Sequence, residues 1–166
     1  EYEYVALVSG LEKSLEMADG FRAQEGAKLE VVLRASTESI ASLLKSIEPL
    51  EVERLAKIRA KLQAGIDEIK DLQKFDSDRY EQELIYYLEK LDITEEKVRL
   101  QAHCDYFLKT LAEEHLKGKK LSFIAQEMGR EINTLGSKSQ NSDMQRVVVE
   151  MKDELEKIKE QVLNVL

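Results

Sequence analysis

Apolar residues recur every three or four positions along most of the chain, and no convincing strand alternation appears. Residues 2–18 are weakly amphipathic, and a first helix is expected to end near Asp19-Gly20. Across 22–47, Leu29, Val32, Leu33, Ile40, Leu43, Leu44 and Ile47 keep a helical rhythm that should stop at Pro49. Val52, Leu55, Ile58, Leu62, Ile66, Ile69 and Leu72 form one stripe of a third helix, over 50–72. A helix over 77–90 follows, with Asp76 or Ser77 as its N-cap. Thr94-Glu95-Glu96-Lys97 suits the first turn of the next, which should reach about Leu116 and stop at Gly118. A shorter helix is expected over 120–134. The clearest loop is "GSKSQNSD" at 136–143, where Asn141, Ser142 or Asp143 can cap the last helix.

That last helix has the sharpest pattern. Met144, Val148, Met151, Leu155, Ile158, Val162 and Val165 recur at alternating spacings of four and three, an a/d heptad seam. It can pack within this chain or against another. The run Val147-Val148-Val149 is β-branched, but it lies inside the longer helical pattern. The fold class is therefore all-α: a long-helix bundle with a C-terminal, coiled-coil-like heptad helix. One Pro, seven Gly and no Trp agree with long helices, since Gly and Pro usually punctuate shorter ones.

Composition narrows the function. Of the 166 residues, 43% are hydrophobic and 35% charged, enough for a core and a well-solvated surface. No apolar run approaches the ~20 residues that span a bilayer, so no membrane association is expected. No basic-then-apolar signal peptide opens the chain. The lone Cys104 excludes an intrachain disulfide and suits a cytoplasmic setting. Glu1 in place of Met points to a fragment or processed product. A net charge of −8 argues against general nucleic-acid binding but leaves room for a local basic site, or for one where metal ions carry the positive charge.

Two helix edges hold candidate chemistry. In 120–134, Leu121, Ile124, Met128, Ile132 and Leu135 make the buried stripe. Glu127 and Glu131, four apart, flank it, with Gln126, Arg130 and Asn133 on the neighbouring polar face. Paired acids at that spacing repel, so a cation should offset them: an Arg or Lys of another helix, or a divalent metal. In 94–116, Glu96, Arg99 and His103 flank the stripe Leu100, Cys104, Phe107 and Leu111. A histidine placed so is an acid/base group, a metal ligand or a hydrogen-bonded structural residue. His115 reads as an exposed helix-end residue. Lys117, Lys119 and Lys120 suit phosphate or a solvated junction. Glu-x-x-His and His-Glu-x-x-His are absent, and nothing pairs with Cys104 for zinc.

The segments "RYEQELIYYLEKLDITEEKVRLQAH" (79–103) and "GKKLSFIAQEMGREINTLGSKSQNSDMQRVVVEMKDELEKIKEQVLN" (118–164), with "FRAQEGAKL" (21–29), resemble the C-terminal half of the YicC-like bacterial proteins. The resemblance divides the chain into an N-terminal helical region over 1–75 and a YicC-like C-terminal helical domain over 76–166. It implies a metal-dependent endoribonuclease that acts on RNA as a ring-like homo-oligomer such as a hexamer, and whose N-terminal domain is missing from this chain. The family's polar positions fall on Gln82, Glu83, Asp92, Glu95, Glu96, Arg99, His103, Gln126, Glu127, Arg130, Glu131, Asn133, Ser137, Lys138, Gln161 and Asn164. Gly129, Ser122 and Lys119 depart from the usual Asn, Asp and Arg, and Val165-Leu166 replaces an acidic end. The Gly129 change removes a polar group beside Glu127 and is expected to loosen the helix.

On this footing the expected catalytic residues are His103, Glu127 and Glu131, and the metal ligands Glu96, Glu127 and Glu131, holding manganese or magnesium. Phosphate would meet Arg99, Lys119, Lys120, Arg130 and Lys138. Gln82, Glu83, Gln126, Asn133, Gln161 and Asn164 would support them. The alternatives are a helical oligomerisation scaffold and an RNA-binding adaptor that does not cut.

Overall fold

The computed structural model describes residues 2–69, 77–113 and 117–165 as five helices. They are α1 (Tyr2–Ile69), α2 (Ser77–Leu91), α3 (Thr94–Leu111), α4 (Gly118–Ser139) and α5 (Ser142–Val162). No strand occurs among the described residues, so the all-α class holds.

The largest departure from expectation is α1. Three separate helices were expected before residue 72, yet one helix of 68 residues runs through both Gly20 and Pro49. A single glycine costs only about 1 kcal/mol against alanine, less than restarting a helix. Pro49 removes the hydrogen bond to the Lys45 carbonyl. Both residues are exposed, so water can take the freed carbonyl, and packing of Ile47 and Arg54 on either side holds the axis.

The core lies between α1, α3, α4 and α5. Leu33, Ile40, Leu44 and Ile47 of α1 are fully buried or nearly so, together with Leu100, Cys104, Phe107 and Leu111 of α3. The α4 stripe Leu121, Ile124, Met128, Ile132 and Leu135 is buried as the spacing requires. Six of the seven heptad positions of α5, Met144 to Val162, are buried in this same core against α1 and α4, and Val165 is partly buried beside them. The seam is thus satisfied within the chain. Burial pushes the Cys104 thiol up to about 12, which suits a small core residue and not a nucleophile.

Of the expected stripe over 50–72, Leu55, Ile58, Leu62 and Ile66 are partly buried and Val52 is exposed; the most buried position after Ile47 is Arg54, with Glu51 partly buried beside it. The first turns of α1 carry Tyr4, Val5, Leu7, Leu11, Leu15 and Phe21 in the open. At ~1.5 Å per residue α1 is roughly 100 Å long, so this part extends well beyond the bundle.

The ends of the helices also differ. The 94–116 helix stops at Leu111; His115 and a cap at Asp76 lie outside the described residues. The 136–143 loop is mostly helix, because α4 continues to Ser139. Gln140 alone turns the chain, with φ 41° and ψ 34°, and Asn141 caps α5 by accepting from the Asp143 and Met144 amides at 3.0 Å. Gly136 and Gly129 let α5 approach. A Cβ on Gly136 would come within 3.1 Å of Val148 Cγ1, and one on Gly129 within 3.1 Å of Leu155 Cδ2. Position 129 therefore belongs to helix packing, and a side chain there would face α5.

Gly118 opens α4 instead of closing α3. A Cβ there would overlap the Val165 carbonyl oxygen, which is backbone and cannot swing aside. Gly118→Ala is expected to cost about 1–3 kcal/mol through overpacking. A denaturation midpoint equal to wild type would contradict this close approach.

Candidate polar site along the α3–α4 edge

Helices α3 and α4 run antiparallel, because Glu96 at the start of α3 meets Lys138 at the end of α4. Lys138 Nζ donates to Glu96 Oε1 at 2.9 Å and to the Asp92 carbonyl at 3.0 Å. Glu96 is only 7% exposed, and its Oε2 is buried with no partner. Beside it, Lys97 and Glu51 pair at 2.5 Å between α3 and α1.

Arg54 completes this junction and was not foreseen. It is 3% exposed. It donates to the carbonyls of Lys138 (2.9 Å), Ser139 (3.0 Å) and Leu91 (2.8 Å). Those carbonyls end α4 and α2, where helices lack internal partners. Burial lowers the Arg54 pKa, while Glu51 and Asp92 oppose that shift. The signal was legible: Arg54 lies seven residues past Ile47, on the buried face.

Asp92 caps α3. Its Oδ1 accepts from Thr94 Oγ1 at 2.7 Å and from the Thr94 amide at 2.9 Å. These bonds, the side-chain one first, hold its pKa below the ordinary carboxylate value. A lowered folded pKa gives stability above the unfolded value of about 3.9, lost as pH falls through the folded value. Asp92→Asn should flatten the acid limb of a melting-temperature profile below about pH 5. An unchanged acid limb would contradict a stabilising role for these bonds.

Two turns along from the Glu96–Lys138 pair, the candidate groups come level. His103 lies seven residues beyond Glu96, and Glu131 seven before Lys138. In an antiparallel pair this sets His103 and Glu131 at the same height on facing edges. His103 is half-buried and Glu131 is 9% exposed. Among the described residues no hydrogen bond or ion pair reaches the Glu131 carboxylate. Glu127, one turn away, accepts from Arg130 Nη1 at 2.7 Å.

Glu96 is not brought to this place. It is level with Lys138, eleven residues or roughly 16 Å along α4 from Glu127. Among the described residues no three His, Cys, Asp or Glu side chains gather as a metal site. Glu127 and Glu131 remain as a carboxylate pair on one helix edge.

The expected phosphate contacts are spread out. Arg99 pairs with Glu95 at 2.5 Å, in the open. Lys120 is held by Glu113 at 3.0 Å and lies 5.0 Å from the Tyr106 ring centre. Lys119 is exposed, and Lys138 is spent on Glu96 and Asp92. Gln126 and Asn133 are exposed on α4, near the glutamates. Gln82 and Glu83 lie on α2, in a shallow groove with Arg79 and Tyr86. Gln161 and Asn164 lie at the far end of α5.

The fold and site define a class: a helical bundle that carries a carboxylate pair and a histidine on facing helix edges. Among known families, the one described as "Endoribonuclease YicC-like, C-terminal" matches residues 47–166, and the chain belongs to it. It is 37% identical over 145 residues to a probable endoribonuclease YicC of Clostridioides difficile (strain 630), covering 87% of this chain and 50% of that protein. It is 33% identical over 144 residues to a probable endoribonuclease YicC of Haemophilus influenzae, covering 86% of this chain and 49% of that protein. The chain spans about half the length of these curated relatives.

Proposed function

We propose that this chain is the C-terminal part of a metal-dependent endoribonuclease that cleaves RNA phosphodiester bonds in the cytoplasm. The observation that carries the reading is Glu131, a residue 9% exposed whose carboxylate has no partner among the described residues, level with His103 in a chain of this family. A carboxylate left unpaired at a helix edge is available to a cation.

The carboxylate pair fits a manganese or magnesium ion in part. Such ions take one or two carboxylates and complete their shell with water and substrate phosphate. Glu127 and Glu131 would hold it, and bound there it would polarise the scissile phosphodiester. His103 gives or takes the proton at the reacting oxygen. Arg130 and Arg99 place phosphate from the same edge, with Lys119 and Lys120 at the start of α4. Gln126 and Asn133 can hydrogen-bond RNA beside them. A ring of copies would supply what one copy lacks.

Alanine at Glu127 or at Glu131 should abolish cleavage while the helical circular-dichroism signal stays intact. Full activity in both variants would sink the reading.

One observation favours a second reading, an oligomerisation scaffold: the exposed apolar positions on the first turns of α1. There the Glu127–Arg130 pair, which lies within α4, steadies a helix of the scaffold. Swapping the two charges should then keep assembly intact, whereas on the first reading it abolishes catalysis.

A further inference from the structure

Away from the α3–α4 edge, the second half of α1, the α2 helix and the α4–α5 turn enclose an open pocket of about 560 Å³. That size lies within the usual range for small-ligand sites. Three cations line it, Arg54, Lys57 and Lys61, and no acidic side chain does among the described residues. In a chain of net charge −8 this local excess is a specific feature.

Each wall has its own chemistry. Tyr80 and Tyr87 of α2 face the apolar Ile58 and Leu62 of α1 across the pocket. Tyr80 is partly buried and held in place by its hydroxyl, which donates to the Leu62 carbonyl at 3.4 Å. Tyr87 is 42% exposed. Two rings beside cations suit a planar, anionic ligand: the ring takes a base, the cations take its phosphate.

Arg54 makes the site a built one. Its guanidinium, almost wholly buried, binds only backbone carbonyls, and its Nε–H has no acceptor. No carboxylate within ion-pairing distance neutralises it among the described residues. A fixed positive charge at the wall of a cavity draws an anion. Lys57 shares Glu53 at 2.6 Å on the surface, while Lys61 has no partner among the described residues. Gln140, the one non-glycine residue with positive φ among the described residues, also lines the pocket. Glycine or asparagine is the usual choice there, so glutamine keeps a strained backbone and presents an amide.

We propose that this pocket binds one nucleotide of single-stranded RNA, its base stacked on Tyr87 and Tyr80 and its phosphate on Lys57 and Lys61. Gln140 offers its amide to the base edge. The pocket lies roughly 20 Å along α4 from Glu127, a span that a short strand can bridge. It anchors RNA whose cleavage takes place at the glutamate edge. The inference rests on the RNA reading above.

The test is fluorescence anisotropy of a labelled decauridylate with the intact chain and three variants, in a salt series. Tyr87→Leu should bind at least about fivefold more weakly. The double change Lys57→Ala/Lys61→Ala should reduce the salt slope by about 0.7, the value for the one phosphate that the two lysines share. Gln140→Gly should raise the melting temperature, through relief of strain, yet weaken binding. Wild-type affinity in all three variants would overturn the pocket and leave the RNA reading standing. Polyglutamate competing as well as unlabelled RNA would overturn it too, since that polymer has charge but no bases. Failure of the wild-type chain to bind the RNA at all would overturn the RNA reading and the pocket with it.

Discussion

Arg54→Met should lower the unfolding free energy by about 3–5 kcal/mol, because it strips the donors from three carbonyls at the junction. The estimate follows from what Arg54 holds. One guanidinium donates to three carbonyls from two helix ends, at 2.8–3.0 Å. Methionine fills most of the volume but offers no donor, so carbonyls of α2 and α4 are left inside the junction. Each such loss costs about 1–3 kcal/mol. The neighbours have their own partners, Lys138 with Glu96 and Lys97 with Glu51, and cannot easily substitute. Arg54→Lys keeps a charge but not the planar fork and should fall between. The readout is the denaturant midpoint at unchanged m-value. A loss under about 1 kcal/mol for the methionine variant would mean that the clamp carries little of the fold.

The second large effect belongs to Glu131. On the proposed function, Glu131→Gln should cut RNA cleavage by about 10²–10⁴-fold, the usual scale for removing an acid/base or ligand group. It should also leave the melting temperature the same or raise it. The sign is the informative part. Glu131 is 9% exposed, and no described residue pairs with it. The neutral amide therefore breaks no ion pair and relieves the repulsion with Glu127 four residues away. A structural salt bridge predicts the reverse, lower stability with cleavage unchanged. Glu127→Gln differs, since it also gives up the 2.7 Å contact with Arg130, whose exposure keeps that loss below about 1 kcal/mol.

The parts of this fold that a sequence shows are those set by periodicity. The α4 stripe and the α5 heptad were legible because each buried residue repeats at helical spacing. Helix ends were less so. Pro49 and Gly20 carry local penalties that the packing of α1 outweighs, and nothing in the sequence states that packing. Gly118, Gly129 and Gly136 read as breaks or flexible points but mark close contacts, which depend on what lies opposite.

The site divides the same way. Glu127 and Glu131 stood out as a pair because their i, i+4 spacing sets them on one edge. Glu96 shares that residue type, but the antiparallel register sends it to the far end of α4, where Lys138 takes it up. Register is a property of two helices together. The tyrosine–lysine pocket was missed for a related reason: its residues come from α1, α2 and the α4–α5 turn, and only the fold gathers them.

The measurement closest to the central claim is a cleavage assay on a structured RNA. It uses this chain with Mn²⁺, with Mg²⁺ and with EDTA, wild type beside Glu131→Gln. The proposed function predicts cutting by wild type that needs the metal and falls at least about 100-fold in the variant. Equal cutting by both proteins, or cutting that persists in EDTA, would contradict it.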